Sequence, residues 1–340
     1  YSAWTPPMAE NRPEGTEPHF DDSMERRLSM SRKMKGGLLG AVVGDALGVP
    51  VEFNSRDEVR RNPVTGMRGY GTFNMPAGTW SDDSSLLICT VDSLSRGYDL
   101  SDMADRFVRW NTEGLWTPHG HAFDIGNATA AAVRRLRGGA APELAGGVSE
   151  HDNGNGSLMR ILPAAMYFAK HSTEEFIERV HAISSITHRH PRSIKACGIY
   201  CLVASGLLNG KEAADAYREA AELAREIYDR DPYRQEMPKF KRVLDGKIAS
   251  LGEDEIRSGG YVIETLEASL WCLLNSDTYE EAVLRAVNLG DDTDTTGCVT
   301  GGLAGIRYAY TGIPSGWVQS LARIHEIETL FDAFVSGVDM

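Results

Sequence analysis

Strand signals are nearly absent from this 340-residue chain, which argues against a sheet-based frame. Basic residues are in the minority. There are 35 Lys and Arg against 48 Asp and Glu, for a formal charge of −13. Such a surface repels phosphate backbones, so no nucleic-acid partner is expected. It also leaves any anionic substrate in need of a local cation or of backbone N–H groups. Cysteines are few and odd in number: Cys89, Cys197, Cys201, Cys272 and Cys298, mostly inside apolar stretches and with no CxxC pair. Buried thiols in a reducing cytoplasm are expected rather than a disulfide framework. No obvious base sits beside any of them, so a catalytic thiol is not expected. No apolar run is read as long enough to span a bilayer, and no signal-peptide pattern is seen, so no membrane partner is expected.

What is present is helical. Residues 1–23 carry Pro6, Pro7, Pro13 and Pro18 with few aliphatics, and read as an extended or disordered arm with Trp4 and Phe20 as exceptions. Residues 24–340 read as one all-α domain of roughly a dozen helices, with 42% hydrophobic residues to fill its core. Helical spacing predicts segments at Leu86–Leu94, Ser101–Trp110, Ala122–Leu136, Leu158–Phe168, Thr173–Ile186, Ser193–Leu208, Glu212–Tyr228, Tyr261–Leu274, Tyr279–Asn288 and Thr295–Tyr310. An earlier helix interleaves Leu38, Leu39, Val42, Val43 and Leu47 with Gly36, Gly37, Gly40, Gly44 and Gly48. So many glycines weaken a helix, so close packing must compensate.

Two acidic motifs carry the chemistry. Ser81-Asp82-Asp83 precedes one helix, and Asp291-Asp292-Thr293-Asp294-Thr295 precedes another. Either alone reads as an N-cap. Together they hold more carboxylates than capping requires. Carboxylates and hydroxyls without Cys or His make an oxygen-only site, which selects hard cations such as Mg²⁺, Mn²⁺ or Ca²⁺. Asp at i and i+2 of a turn can share one ion. Several Asp converging from two helix starts repel unless cations lie between them. The count is enough for two ions, and metal-dependent hydrolysis follows. An EF-hand does not fit, because the sixth and twelfth loop positions after Asp291 are Thr296 and Gly302.

Other polar positions mean less alone. Asp45 inside an apolar face is equally a satisfied core carboxylate or a site residue. Glu52 follows that helix in an apolar setting that suits a tuned acid or base. Gly154-Asn155-Gly156-Ser157-Leu158-Met159-Arg160 is a glycine-rich turn into a helix, a place for an anion or simply a capped turn. Thr187-His188-Arg189-His190-Pro191 ends a helix, and such a His pair is more often structural.

Taken together, GLLGAVVGDALGVPVEF, GTWSDDSSL, DIGNAT at Asp124–Thr129, GNGSLMRILP, THRHP and GDDTDTTGCVTGGLAG resemble the ADP-ribosylglycohydrolase family, in family order from about residue 34 to 310. The resemblance implies an orthogonal multi-helix bundle around a central cleft with two divalent ions, Mg²⁺ or Mn²⁺, at its floor. By motif match, Ser81, Asp82, Asp83, Asp292, Asp294 and Thr295 would be metal ligands. Ser81 stands where threonine is commoner. Gly154, Asn155, Gly156, Ser157 and Met159 match the turn that holds the ADP-ribose phosphates, and His188 matches a histidine of the nucleotide pocket. Asp83, and after it Glu52, would carry the proton in hydrolysis at the ribose C1.

The implied substrate is an ADP-ribosylated protein. Arginine is the first choice of linkage, with serine ADP-ribose and O-acetyl-ADP-ribose as alternatives. The family also has immunity members, so residues 1–30 would serve as a segment that blocks a cognate ADP-ribosyltransferase toxin.

Overall fold

The computed structural model describes residues 22–338, of which Asp22 and Ser23 only by their backbone. The arm read over residues 1–23 lies outside the described residues apart from its last two positions; of the toxin-blocking segment read over residues 1–30, residues 1–21 lie outside them and residues 22–30 belong to the first helix.

Among the described residues there are fifteen α-helices and no β-strand, with only isolated bridges. The first half comprises α1 (Asp22–Gly48), α2 (Arg56–Arg61), α3 (Asp82–Leu94), α4 (Leu100–Glu113), α5 (Asn127–Arg137), α6 (Leu162–Tyr167) and α7 (Thr173–Ser185). The second comprises α8 (Pro191–Leu208), α9 (Ala213–Ile227), α10 (Lys241–Leu244), α11 (Val262–Leu274), α12 (Tyr279–Val287), α13 (Thr293–Tyr308), α14 (Ser315–Ser320) and α15 (Ile324–Val338). Local rules account for several starts. Ser55 and Glu58 form a capping box on α2, Asp99 caps α4, and Ser172 caps α7. Helix α9 buries Ala213, Ala216, Tyr217, Ala220, Ala221 and Ala224, a single stripe at 3.6-residue spacing.

The glycines of α1 are explained by α13. A Cβ on Gly36 would lie 2.3 Å from the Gly305 carbonyl oxygen, one on Gly40 2.4 Å from that of Gly301, and one on Gly44 2.0 Å from that of Gly297. The reciprocal positions on α13 are equally closed. The two helices therefore run antiparallel with their backbones in contact over several turns. Any side chain at these positions would prise them apart. The helix-weakening cost of each glycine, about 1 kcal/mol, is offset by this packing. The pairing also sets the site, because it carries Asp45 and Glu52 from the end of α1 to the acidic start of α13.

One sequence expectation needs correction here. Met24–Val51 is long and apolar enough to match a membrane span, with a mean hydropathy of 1.3. However, 94% of that apolar window is buried in the fold, so this is a core helix.

Two further boundaries differ from the helical periodicity. The segment expected at Ala122–Leu136 begins only at Asn127, because Asp124 takes a left-handed φ of +56° and Gly126 is extended. The segment expected at Leu158–Phe168 is a short 3₁₀ turn at Leu158–Arg160 followed by α6, with Pro163 at the start of α6.

Candidate active site

The starts of α3 and α13 meet at the floor of one cavity. At α3, the Ser81 hydroxyl accepts from the Asp83 N–H at 3.3 Å and donates to Asp83 Oδ2 at 2.9 Å. Asp45 completes the cap from α1. It accepts the Ser81 N–H at 3.0 Å, the Ser84 N–H at 3.0 Å and the Ser84 hydroxyl at 2.5 Å. Burial pushes the Asp45 carboxyl up to about 7, against the pull of these donors. Asp45 is thus a core carboxylate with its oxygens in use, although it lies within ligand range of Asp83 and Asp294.

At α13, Asp292 stands at the N-cap but caps nothing. Its Oδ2 accepts from the Asn155 side-chain amide at 2.8 Å, and the same amide donates to the Thr265 hydroxyl at 2.8 Å. The Thr295 hydroxyl donates to Asp83 Oδ2 at 3.3 Å and joins the two starts.

Four oxygens are then left over. Glu52 Oε2, Asp83 Oδ1, Asp292 Oδ1 and Asp294 Oδ2 are buried without a hydrogen-bond partner. Orphaned buried acceptors are rare and costly, and here they converge on one place. Burial first, and neighbouring carboxylates second, push Asp82, Asp83 and Asp294 well above the usual carboxylate range, and Glu52 up to about 10. Such a cluster ionises only with positive charge between its members. The donor set is all oxygen and fits hard divalent cations.

Asp124 belongs to this cluster, although the sequence reading assigned it no role. Its carboxylate, with those of Glu52 and Asp294, brings ligand oxygens within 4.8 Å of one another. The sequence carried one signal for it: Asp before Ile-Gly-Asn tolerates the left-handed turn that delays α5 and aims Asp124 inward.

The cavity above the floor measures about 390 Å³. Glu52, Asp82, Asp124, Asp292 and Thr295 form the acidic part of its lining, and Gly154, Asn155, Gly156, Met159 and His188 form an adjoining wall that meets it where the Asn155 amide reaches Asp292. Asp83 and Asp294 lie beneath, fully buried. The glycine-rich turn is tied to α11 by the Asn155 N–H to the Gly260 carbonyl at 3.0 Å and the Val262 N–H to the Asn153 carbonyl at 3.0 Å. A Cβ at Gly156 would lie 2.7 Å from His188 Cε1, so only glycine leaves the imidazole its place.

Three residues of the motifs point elsewhere. Ser157 is buried away from the cavity, where its hydroxyl accepts from Ser184 at 2.9 Å and lies 3.3 Å from Cys197 Sγ. His190 caps α8, accepting the Arg192 N–H at 3.2 Å. Asp291 is exposed and contributes only backbone, accepting the Phe53 N–H at 2.8 Å and donating to the Asn54 carbonyl at 2.7 Å. A larger groove of about 690 Å³, edged by Glu174, Glu178, His181 and Arg230, has no comparable convergence of unpartnered acids.

An all-α cleft floored by unpartnered carboxylates, with a glycine turn along its wall, defines a class of divalent-cation hydrolases. The chain belongs to the ADP-ribosylglycohydrolase family, whose sequence model matches residues 26–339. It is 35% identical to the ADP-ribosylarginine hydrolase Tri1 of Pseudomonas putida strain GB-1 over 88% of this chain and 76% of that one. It is 29% identical to the ADP-ribosyl-[dinitrogen reductase] glycohydrolase of Rhodospirillum rubrum over 86% of this chain and 91% of that one. Among solved structures, an ADP-ribosylglycohydrolase-related protein complex matches with a TM-score of 0.75 and 30% identity, covering 92% of this chain and all of the other.

Proposed function

We propose that this chain hydrolyses the N-glycosidic bond between ADP-ribose and an arginine side chain of a modified protein, with two divalent cations, Mg²⁺ or Mn²⁺. The observation that carries the reading is the convergence of four unpartnered carboxylate oxygens at the floor of a cleft. The arginine linkage draws its support from relatives such as the Tri1 hydrolases, which are named for it.

Ser81, Asp82, Asp83, Asp292, Asp294 and Thr295 would hold the cations. When bound, these supply positive charge that positions the ribose hydroxyls and activates water. Asp294 is shared by two groups of potential ligands, one with Asp45 and Asp83 and one with Glu52 and Asp124, which supports two adjacent positions. The glycine turn, with Met159 and His188, would flank the diphosphate. Hydrolysis at C1 passes through an oxocarbenium-like state and needs one group to move a proton. Asp83 and Glu52 are the candidates. Asp83 Oδ2 already accepts two hydroxyls beneath the floor, whereas Glu52 faces the open cleft. Glu52 is therefore read as the proton carrier, since it lines the cleft while Asp83 lies fully buried beneath it. A cytoplasmic location is part of this reading, supported by five buried cysteines that are all free thiols.

The test is release of ADP-ribose from an ADP-ribosylarginine peptide in Mg²⁺ or Mn²⁺. Release by the wild type and none by Asp294→Ala is expected. No release with either ion, or equal release by the variant, would overturn the reading.

A further inference from the structure

The acidic part of the cleft raises a question about the adjoining wall of the glycine turn and His188. The reading above places a diphosphate there, in a protein of charge −13, and no lysine or arginine lines the cavity. One guanidinium lies just behind the wall. Arg160 is fully buried, and its Nε and Nη1 have no hydrogen-bond partner. No carboxylate pairs with it among the described residues; its Cζ sits 4.5 Å from the centre of the Phe107 ring. Its Nη2 donates to the Ile183 carbonyl at 3.2 Å and to the Thr187 hydroxyl at 2.7 Å. Burial lowers the Arg160 pKa to about 10, so the group stays charged at neutral pH. An unpaired buried charge is costly and calls for a use.

Thr187 passes the effect on. Its Oγ1 lies 2.9 Å from His188 Nδ1. Arg160 only donates, so it takes one lone pair of that hydroxyl. If His188 Nδ1–H donated to the same oxygen, the hydroxyl proton of fully buried Thr187 would have no acceptor among the described residues. The satisfied arrangement has Thr187 O–H donating to Nδ1. The His188 proton then sits on Nε2, and Nε2 lies 3.3 Å from where a Gly156 Cβ would be and 3.8 Å from the equivalent point at Gly154. Burial, and next the charge of Arg160, hold His188 neutral, with a pKa lowered to about 3.

We propose that Arg160, through the Thr187 hydroxyl, fixes His188 as a neutral Nε2–H donor and supplies the positive potential behind the diphosphate wall of the cleft. Arg160 and Thr187 are positioning residues, and the proposal rests on the ADP-ribose reading for its ligand. The test uses the full chain in Mg²⁺ and compares wild type, Thr187→Val, Thr187→Ser and Arg160→Met. ¹⁵N NMR of the imidazole reads the tautomer without ligand, and calorimetry reads ADP-ribose affinity.

Wild type is expected to show the Nε2–H form. Thr187→Val should lose that preference and bind ADP-ribose about tenfold more weakly, the worth of one hydrogen bond. Thr187→Ser should restore both, and Arg160→Met should bind more weakly still. A Thr187→Val protein that keeps either the tautomer or the affinity overturns the relay, as does failure of serine to restore them. A folded Arg160→Met protein with wild-type affinity overturns the role of the charge. If Arg160→Met does not fold, the Thr187 pair still decides. Absence of ADP-ribose binding by wild type would instead overturn the ADP-ribose reading, while the tautomer comparison would still decide the relay.

Discussion

The starts of α3 and α13 look alike in sequence, since each places acids and hydroxyls before a helix. They solve the capping problem in opposite ways. At α3, Ser81 and Asp45 take the free N–H groups, which releases Asp82 and Asp83 from that duty. At α13 the acid in the cap position declines it: Asp292 turns to Asn155, and the first-turn N–H of Thr295 goes instead to Asp294 Oδ1 at 2.8 Å. In both cases one oxygen of a carboxylate, Asp83 Oδ1 at α3 and Asp292 Oδ1 and Asp294 Oδ2 at α13, is kept out of the hydrogen bonds that would stabilise the fold by about 1 kcal/mol each. Acids withheld from capping at two facing helix ends mark a ligand site better than the number of acids does.

The largest expected effect comes from breaking α13. Asp294→Asn should lower release of ADP-ribose from an ADP-ribosylarginine peptide by a factor on the order of 10³, the rate equivalent of several kcal/mol of lost charge stabilisation. The same change should raise the melting temperature of the chelator-treated protein, because one repelling carboxylate is gone. A lower melting temperature in chelator would show that Asp294 is a structural cap like Asp45.

The second effect is one of pH. Glu52, Asp82, Asp83 and Asp294 have folded pKa values raised by burial and mutual repulsion. Their sign is fixed: the folded state holds more protons than the unfolded one, so stability falls as pH rises towards the folded values. His188 shifts the other way, and its contribution is lost only below the ordinary histidine range. Between pH 7 and 9 the acids therefore act without it. Each proton retained costs about 1.4 kcal/mol per pH unit, or roughly 2 °C. Melting curves in chelator should fall across that window and stay level in Mg²⁺. Parallel curves would remove the cation from the floor.

The third is a break at α3. Asp45→Asn turns an NH₂ towards the Ser81 and Ser84 donors and leaves at least one of them unpaired in the core. A loss of about 1–3 kcal/mol is expected in denaturant melts, with magnesium affinity changed far less than by Asp294→Asn. Equal losses of magnesium affinity would make Asp45 a ligand.

Much of this was legible in the residues. Helical spacing located most of the long helices, and the glycines at every fourth position of α1 announced a close neighbour. The neighbour itself was not readable, because a contact between Gly44 and Gly297 depends on the fold and not on local pattern. Asp45 stayed ambiguous for the same reason: its partners, Ser81 and Ser84, lie 36 and 39 residues away. Asp124 and the late start of α5 were missed because periodicity runs smoothly through Ala122 to Ile125 while one left-handed residue ends it. The direction of the Ser157 side chain was not readable from its motif: four residues of that motif line the cavity, and its own side chain turns to Cys197.

The smallest effect separates neighbours within one motif. Asp291 precedes Asp292 and carries the same charge, yet its side chain is exposed and takes no part in the floor. Its contribution is backbone. At φ +61° it pairs with the turn after Glu52, itself left-handed at Phe53 with φ +66°, through the two N–H to carbonyl bonds at 2.8 and 2.7 Å. Asparagine tolerates that conformation as well as aspartate does. Asp291→Asn should therefore leave hydrolysis within about twofold of wild type and stability within about 0.5 kcal/mol. Asp291→Val keeps the exposed position but strains the turn, since a β-branched residue is a true outlier there. It should shift KM and kcat by misplacing Glu52, with magnesium affinity little changed. If Asp291→Asn alone cuts the rate as deeply as Asp294→Asn does, the motif acts through its summed charge, and the division between withheld and exposed acids fails.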